Sequence, residues 1–193
     1  IDSSVNAKLV RTTWSASGLG NSQDTGLRFS IADNMNALYV ANANGLVSSI
    51  DANSGKKGWT ARVDDLYTGA ATNGNLVFVG TKTGELVALS ATNGSKVWSA
   101  KLYGAPITTP VVAGTRVIIR TIGGAVESFD AQTGDESWAY MVQVPEVNLR
   151  GAAAPVVVGQ NVLIPTDIGL MGYLNAETGA VIWGQKVSSA RGG

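Results

Sequence analysis

Asp51-Ala52-Asn53-Ser54-Gly55-Lys56-Lys57-Gly58-Trp59 decides the fold, because its skeleton returns three more times. Ala52-x-x-Gly55-x-x-x-Trp59 recurs as Ala91, Gly94 and Trp98, as Ala131, Gly134 and Trp138, and as Ala176, Gly179 and Trp183. Self-similarity at a period of about 40 residues marks an array of one supersecondary unit. A second glycine precedes each motif glycine by the same 10 residues, at Gly45, Gly84, Gly124 and Gly169. In three units another lies a further 10 residues back, at Gly74, Gly114 and Gly159. In the first unit that region reads Asp33-Asn34-Met35-Asn36, which also forms turns.

Turns at this spacing, with apolar runs between them, predict a four-stranded β-meander per unit. In the second unit the strands are placed at about Gly69–Thr72, Leu76–Gly80, Glu85–Ser90 and Lys96–Leu102. The middle runs are apolar at successive positions, as in Leu76-Val77-Phe78-Val79 and Val117-Ile118-Ile119. A sheet with one wet face alternates apolar and polar residues instead. Sheets stacked between neighbours bury both faces, and such a stack around an axis is a β-propeller.

The motif has a mechanical reading. Asp51 to Gly55 and its copies form the turn between third and fourth strands, with Gly supplying positive φ. Alanine is small there because the turn packs closely. The tryptophan four residues on enters the outer strand and lies on the neighbouring blade, where burial contributes roughly 3 kcal/mol or more. Four tryptophans share this structural position, which favours packing over a role as ligand platforms.

Composition narrows the function classes. The chain has 193 residues, 45% hydrophobic and 15% charged, which describes a globular domain with a sizeable core. Fourteen Lys plus Arg balance fourteen Asp plus Glu, so no net field draws nucleic acid to it. With no cysteine and no histidine, disulfides, thiolate chemistry and imidazole acid–base catalysis are excluded.

The all-β chain is therefore read as four four-stranded blades, at about 27–63, 67–102, 107–142 and 151–187. Residues 8–16, with Trp14, read as one extra outer strand of a preceding blade. That arrangement is expected for about half of an eight-bladed ring, in a single partial domain spanning 1–193. An isolated arc would expose apolar faces on its end blades, which invites self-association. Pro165 falls in a predicted second strand, where a proline calls for a bulge or a local edge.

Departures from the period locate added function. The interval from Trp59 to Gly74 is 15 residues, from Trp98 to Gly114 it is 16, and from Trp138 to Gly159 it is 21. The connection from blade 3 to blade 4 is thus about five residues longer, through Gln143–Gly151. A similar excess, polar and Gly-rich, follows Trp14 at Gly18–Gly26. Both insertions fall on the rim shared with the turns at Gly45, Gly84, Gly124 and Gly169. Val147, Leu149 and Arg150 combine apolar contact with a fixed cation, as interface anchors do. The alternative is that Val147 and Leu149 fold back as loop filling while Arg150 caps a carbonyl or stays solvated.

The repeat resembles the tryptophan-docking motif of the pyrroloquinoline-quinone-type propellers, usually eight-bladed, over nearly the whole chain. Val147-Asn148-Leu149-Arg150-Gly151 with Ala154-Pro155, and the run Val181 to Ser188, are similar to the BamB family. These are lipoprotein subunits of the outer-membrane β-barrel assembly machinery. The resemblance implies a non-enzymatic periplasmic scaffold on the outer membrane of a Gram-negative bacterium, without a cofactor. It implies that Val147, Leu149 and Arg150 contact the periplasmic POTRA domains of the barrel subunit BamA; nascent outer-membrane proteins are further candidate partners. Val147 departs conservatively from the family's leucine. The family's acidic pair in a following loop and its lipid-bearing cysteine have no counterpart here, so weak binding and no membrane attachment are expected of this chain alone.

Two other readings share the blades. A quinoprotein dehydrogenase would hold pyrroloquinoline quinone and Ca²⁺ in a central channel, with an Asp base and often a vicinal disulfide, which this chain cannot form. Calcium ligands would be converging Asp, Glu and Asn side chains. The adjacent pair Asp64-Asp65 sits in a blade-to-blade connection and Asp167 flanks a turn, so solvated turn roles are expected for both. The second is a sensor or adhesion propeller, separated from the scaffold only by the Leu149-Arg150-Gly151 loop.

Overall fold

The structure, a computed structural model, describes Ser15 and residues 31–33, 36–141, 153–165 and 170–186. Among the described residues sixteen strands form four antiparallel sheets, each in sequence order. Blade 1 holds β1 (Ile31–Asp33), β2 (Ala37–Ala41), β3 (Leu46–Asp51) and β4 (Lys57–Arg62). Blade 2 holds β5 (Ala71–Thr72), β6 (Leu76–Gly80), β7 (Glu85–Ser90) and β8 (Lys96–Lys101). Blade 3 holds β9 (Val111–Ala113), β10 (Arg116–Arg120), β11 (Ala125–Asp130) and β12 (Glu136–Met141). Blade 4 holds β13 (Val156–Val158), β14 (Asn161–Pro165), β15 (Leu170–Asn175) and β16 (Val181–Lys186). The strands read from the sequence of the second unit match β5–β8 to within two residues at their ends. Trp14 and the extra outer strand lie outside the described residues.

The first strands of successive blades touch, β1 on β5, β5 on β9 and β9 on β13. They form the inner side of an arc, with β4, β8, β12 and β16 at the outside. Strand pleating then divides each middle strand between two cores. Val77 and Val79 of β6 pack with Tyr39 and Val47 of blade 1. Phe78, between them, packs with Val117, Ile119 and Phe129 of blade 3. Ile118 and Val126 of blade 3 join Val162, Ile164 and Leu174 of blade 4. The runs without alternation are thus explained by burial on both faces.

The turn before each outer strand is held by its first side chain. Asp51 Oδ1 accepts from the Ser54 amide and hydroxyl, both at 2.7 Å. Asp130 Oδ1 accepts from the amides of Gln132 and Thr133, and Asn175 Oδ1 from those of Glu177 and Thr178. Blade 2 makes the turn with Ser90. In blades 2, 3 and 4 the pairing with the outer strand slips by one residue just before the tryptophan, at Val97, Ser137 and Ile182. Such a bulge bends the strand and re-aims the next side chain. Here it turns the indole toward the following blade.

Pro165 ends β14, beyond the last partner that β13 offers, Val156 on Leu163. Pairing with β15 runs without a slip from Asn161 to Pro165, so the local edge rather than the bulge accommodates the proline. On blade 4 Val156, Val158, Val181 and Ile182 are about half exposed and Trp183 is 40% exposed. Val181 and Ile182 occupy outer-strand positions that are exposed in the other blades as well, whereas Val156, Val158 and Trp183 are more exposed than their blade-3 counterparts Val111, Ala113 and Trp138.

Candidate functional site

The arc has two rims, and they do different work. One carries the Ala-x-x-Gly turns. There the Trp59 indole N–H donates to the Ala91 carbonyl at 2.8 Å, that of Trp98 to Ala131 at 3.2 Å, and that of Trp138 to Ala176 at 2.9 Å. Gly94, Gly134 and Gly179 lie under these rings: a Cβ on Gly134 would sit 2.7 Å from Trp98 Cδ2 and Cε3, and one on Gly179 2.6 Å from Trp138 Cγ. A Cβ on Gly94 would collide with the Trp59 ring. Gly55 adopts φ of 71°, like its copies. Trp59, Trp98 and Trp138 with Gly94, Gly134 and Gly179 therefore form a clamp, each of these three indoles gripping the turn of the next blade. A second lock joins blades 3 and 4 on the same rim, where Arg116 donates to Glu177 at 2.5 Å and to Ser137 Oγ at 2.7 Å.

The opposite rim carries the turns at Gly45, Gly84 and Gly124 and the blade-to-blade connections. The connections from blade 1 to 2 and from blade 2 to 3 are tied as they leave, Val63 N–H to Gly45 O and Leu102 N–H to Gly84 O, both 2.8 Å. Both are tied again on arrival, where Lys82 N–H donates to Asp65 O and Ile122 N–H to Ala105 O. Asp64 is solvent-facing and lies 3.5 Å from Arg62, and Asp65 takes a φ of 53°, so this acidic pair forms a surface turn. Among the described residues no group of three or more Asp or Glu comes together to hold a metal ion.

Blade 3 departs from its neighbours on this rim. Arg120 stands where the other blades have Ala41, Gly80 and Pro165, and Glu127 where they have Ser48, Val87 and Gly172. Both are buried, 2% and 0% exposed. Glu127 accepts from the Thr121 hydroxyl at 2.8 Å and from the Tyr103 backbone N–H at 3.0 Å. Burial pushes its carboxyl above the usual range, against the opposing pull of these two hydrogen bonds, and the Glu136 charge adds to the rise. The Tyr103 hydroxyl donates to Glu136 at 2.8 Å, which raises that phenol. Tyr103, in the connection from blade 2, and Ile122 and Met141 of blade 3 stand exposed. Met141 is the last described residue before the long connection, and Val147, Leu149, Arg150 and Asp167 lie outside the described residues. The sequence reading missed Arg120 and Glu127. Laying the four units in register exposes both, as ionisable residues at positions that are otherwise small or apolar.

Residues 43–193 match the family described as outer membrane protein assembly factor BamB. The chain belongs to the BamB family. BamB of Burkholderia pseudomallei (strain K96243) is 36% identical over 145 residues, which cover 75% of this chain and 37% of that protein. The crystal structure of BamB from Moraxella catarrhalis superposes with a TM-score of 0.75 at 28% identity, covering 84% of this chain and 50% of that one. The chain thus spans half or less of the relatives it matches. A quinohemoprotein alcohol dehydrogenase from Pseudomonas putida HK5 gives a TM-score of 0.63 at 18% identity, a likeness of fold alone.

Proposed function

We propose that this chain is part of a non-enzymatic scaffold subunit that helps assemble outer-membrane β-barrel proteins. It works at the periplasmic face of the outer membrane, held there in the whole protein by a lipid anchor. Its partner is the barrel subunit BamA, whose POTRA domains dock on Val147, Leu149 and Arg150. The observation that carries the reading is the identity with BamB along three quarters of the chain. It is supported by the point from which the longest connection departs, Met141 at the end of β12, on the rim opposite the tryptophan clamps. Arginine is enriched among the residues that carry most of the binding energy at interfaces, which favours Arg150 as an anchor.

Co-purification of BamA with the whole protein from detergent-solubilised outer membranes tests this. Leu149→Ala and Arg150→Ala should each deplete BamA from the eluate while the protein itself remains folded. Undiminished recovery with both variants overturns the docking assignment.

A further inference from the structure

We propose that Tyr103, Ile122 and Met141 form an apolar contact surface on the rim of blade 3, which the POTRA partner covers together with the connection that starts there. The inference rests on the docking reading above and deepens it, by adding to the interface three side chains on the body of the propeller.

The three side chains gather at one corner. Ile122 sits in the turn from β10 to β11, closed by Thr121 N–H on Ala125 O and Gly124 N–H on Thr121 O. A Cβ on Gly104 would lie 2.8 Å from Ile122 Cγ2, so Ile122 covers the residue next to Tyr103. Met141 pairs with Ala125, the first residue after that turn. On β11, Phe129 packs toward blade 2 and Val126 toward blade 4. Ala125 and Glu127 share the side of Phe129, and Met141, opposite Ala125, points the same way. Tyr103 lies on that side too, since its backbone N–H donates to Glu127 and its hydroxyl to Glu136. Tyr103 is 63% exposed, Ile122 47% and Met141 59%.

Each of the three stands where the repeat elsewhere carries a charge. Ile122 has Lys82 as its counterpart in blade 2, because each N–H donates back to the arriving connection. Met141 stands where β8 ends in Lys101 and β4 in Arg62, by their pairing with the first residues of β11, β7 and β3. The bridges of Leu66 to Thr81 and Pro106 to Thr121 set the two connections in register. Tyr103-Gly104 then takes the place of the solvent-facing Asp64.

Exposed apolar residues scattered singly are ordinary on a protein surface. These three meet at one corner instead, where the neighbouring blades carry Lys, Arg and Asp. The centre of a protein interface is depleted of charge and enriched in Tyr and Met. The tyrosine is also held in place. Val87 shows that blade 2 closes without a carboxylate at the position of Glu127, and burying one is costly. The hydrogen bonds of Glu127 go to the Thr121 hydroxyl and to the backbone of Tyr103. Tied at its backbone and at its hydroxyl, Tyr103 has less freedom to lose when a partner covers it. Met141 is the point at which the long connection leaves β12, so a folded partner that grips that connection meets this corner at its base.

The test uses the whole protein with Ile122→Lys, Met141→Lys and Tyr103→Ala, and with Arg150→Ala for comparison. Affinity for isolated POTRA domains is measured by calorimetric titration, self-association by sedimentation, and folding by melting temperature. Lysine at the first two positions restores the residue type of blade 2, so the fold should hold. Each of the three rim variants should bind roughly tenfold more weakly, with the melting temperature unchanged. Wild-type affinity in both Ile122→Lys and Met141→Lys overturns the proposal, whether or not Tyr103→Ala folds. Loss of self-association with POTRA affinity intact also overturns it, and would make the corner a contact between copies. If Arg150→Ala weakens binding and the rim variants do not, the docking reading stands and this proposal falls. If the rim variants weaken binding and Arg150→Ala does not, the proposal stands and the assignment of Arg150 falls. A wild type that binds no POTRA domain overturns both.

Discussion

Trp98 and Gly134 belong to different blades, yet a single Cβ would not fit between them. The glycine has φ of 80°, and a methyl group placed on it would lie 2.7 Å from the indole. Gly114, also at positive φ, has open space where its side chain would be. The two glycines look alike in sequence and differ in what a methyl group would meet.

Gly134→Ala should therefore cost roughly 2–4 kcal/mol, backbone strain plus the clash with the ring. Gly114→Ala should cost only the strain, roughly 1–2 kcal/mol. Urea unfolding of both variants measures the difference directly. Equal losses would mean that the indole yields freely and does not clamp.

Trp138→Phe keeps an aromatic ring but removes the N–H that donates to Ala176 O. Ala176 is 2% exposed, so its carbonyl gains little from water in exchange. A loss of about 1–3 kcal/mol follows from the hydrogen bond and the lost contact. Trp98→Ala, which deletes the whole ring, should cost roughly 3–5 kcal/mol. Melting temperatures that do not move would show that the rings contribute nothing to the joint between blades.

Glu127 makes stability depend on pH with a definite sign. Its carboxyl is raised above the ordinary 4.5 by burial, so the folded state holds its proton more tightly than the unfolded chain does. Stability then falls as pH rises from the ordinary value through the raised one. Asp51 and Asp130 act in the opposite sense: turn hydrogen bonds, led by those from Ser54 and Thr133, lower them below 3.8, and the stability they add is lost as pH falls through the lowered value. Glu127→Gln removes the charge that burial penalises. Across pH 4 to 8 the variant's melting temperature should gain on that of the wild type as pH rises, and parallel curves would contradict the assignment.

Much of this was legible before any coordinates, because the repeat encodes local geometry. The Gly spacing predicts the turns, the apolar runs predict burial on both faces, and the shared tryptophan position predicts packing on the neighbouring blade. The receiving group was not legible. That the indole N–H reaches an alanine carbonyl 32 residues onward from Trp59, at Ala91, is a contact between units that spacing alone does not announce. Arg120 and Glu127 escaped for the same reason, since their partners Pro165 and Tyr103 lie 45 and 24 residues away.

The most direct test of the account is calorimetric titration of the whole protein with isolated POTRA domains of BamA, comparing wild type with Leu149→Ala and Arg150→Ala. Each side chain, if it anchors the interface, should cost roughly 1–3 kcal/mol of binding free energy, with the melting temperature of the propeller unchanged. Wild-type affinity in both variants would show that the long connection of blade 3 is not where this molecule meets its partner.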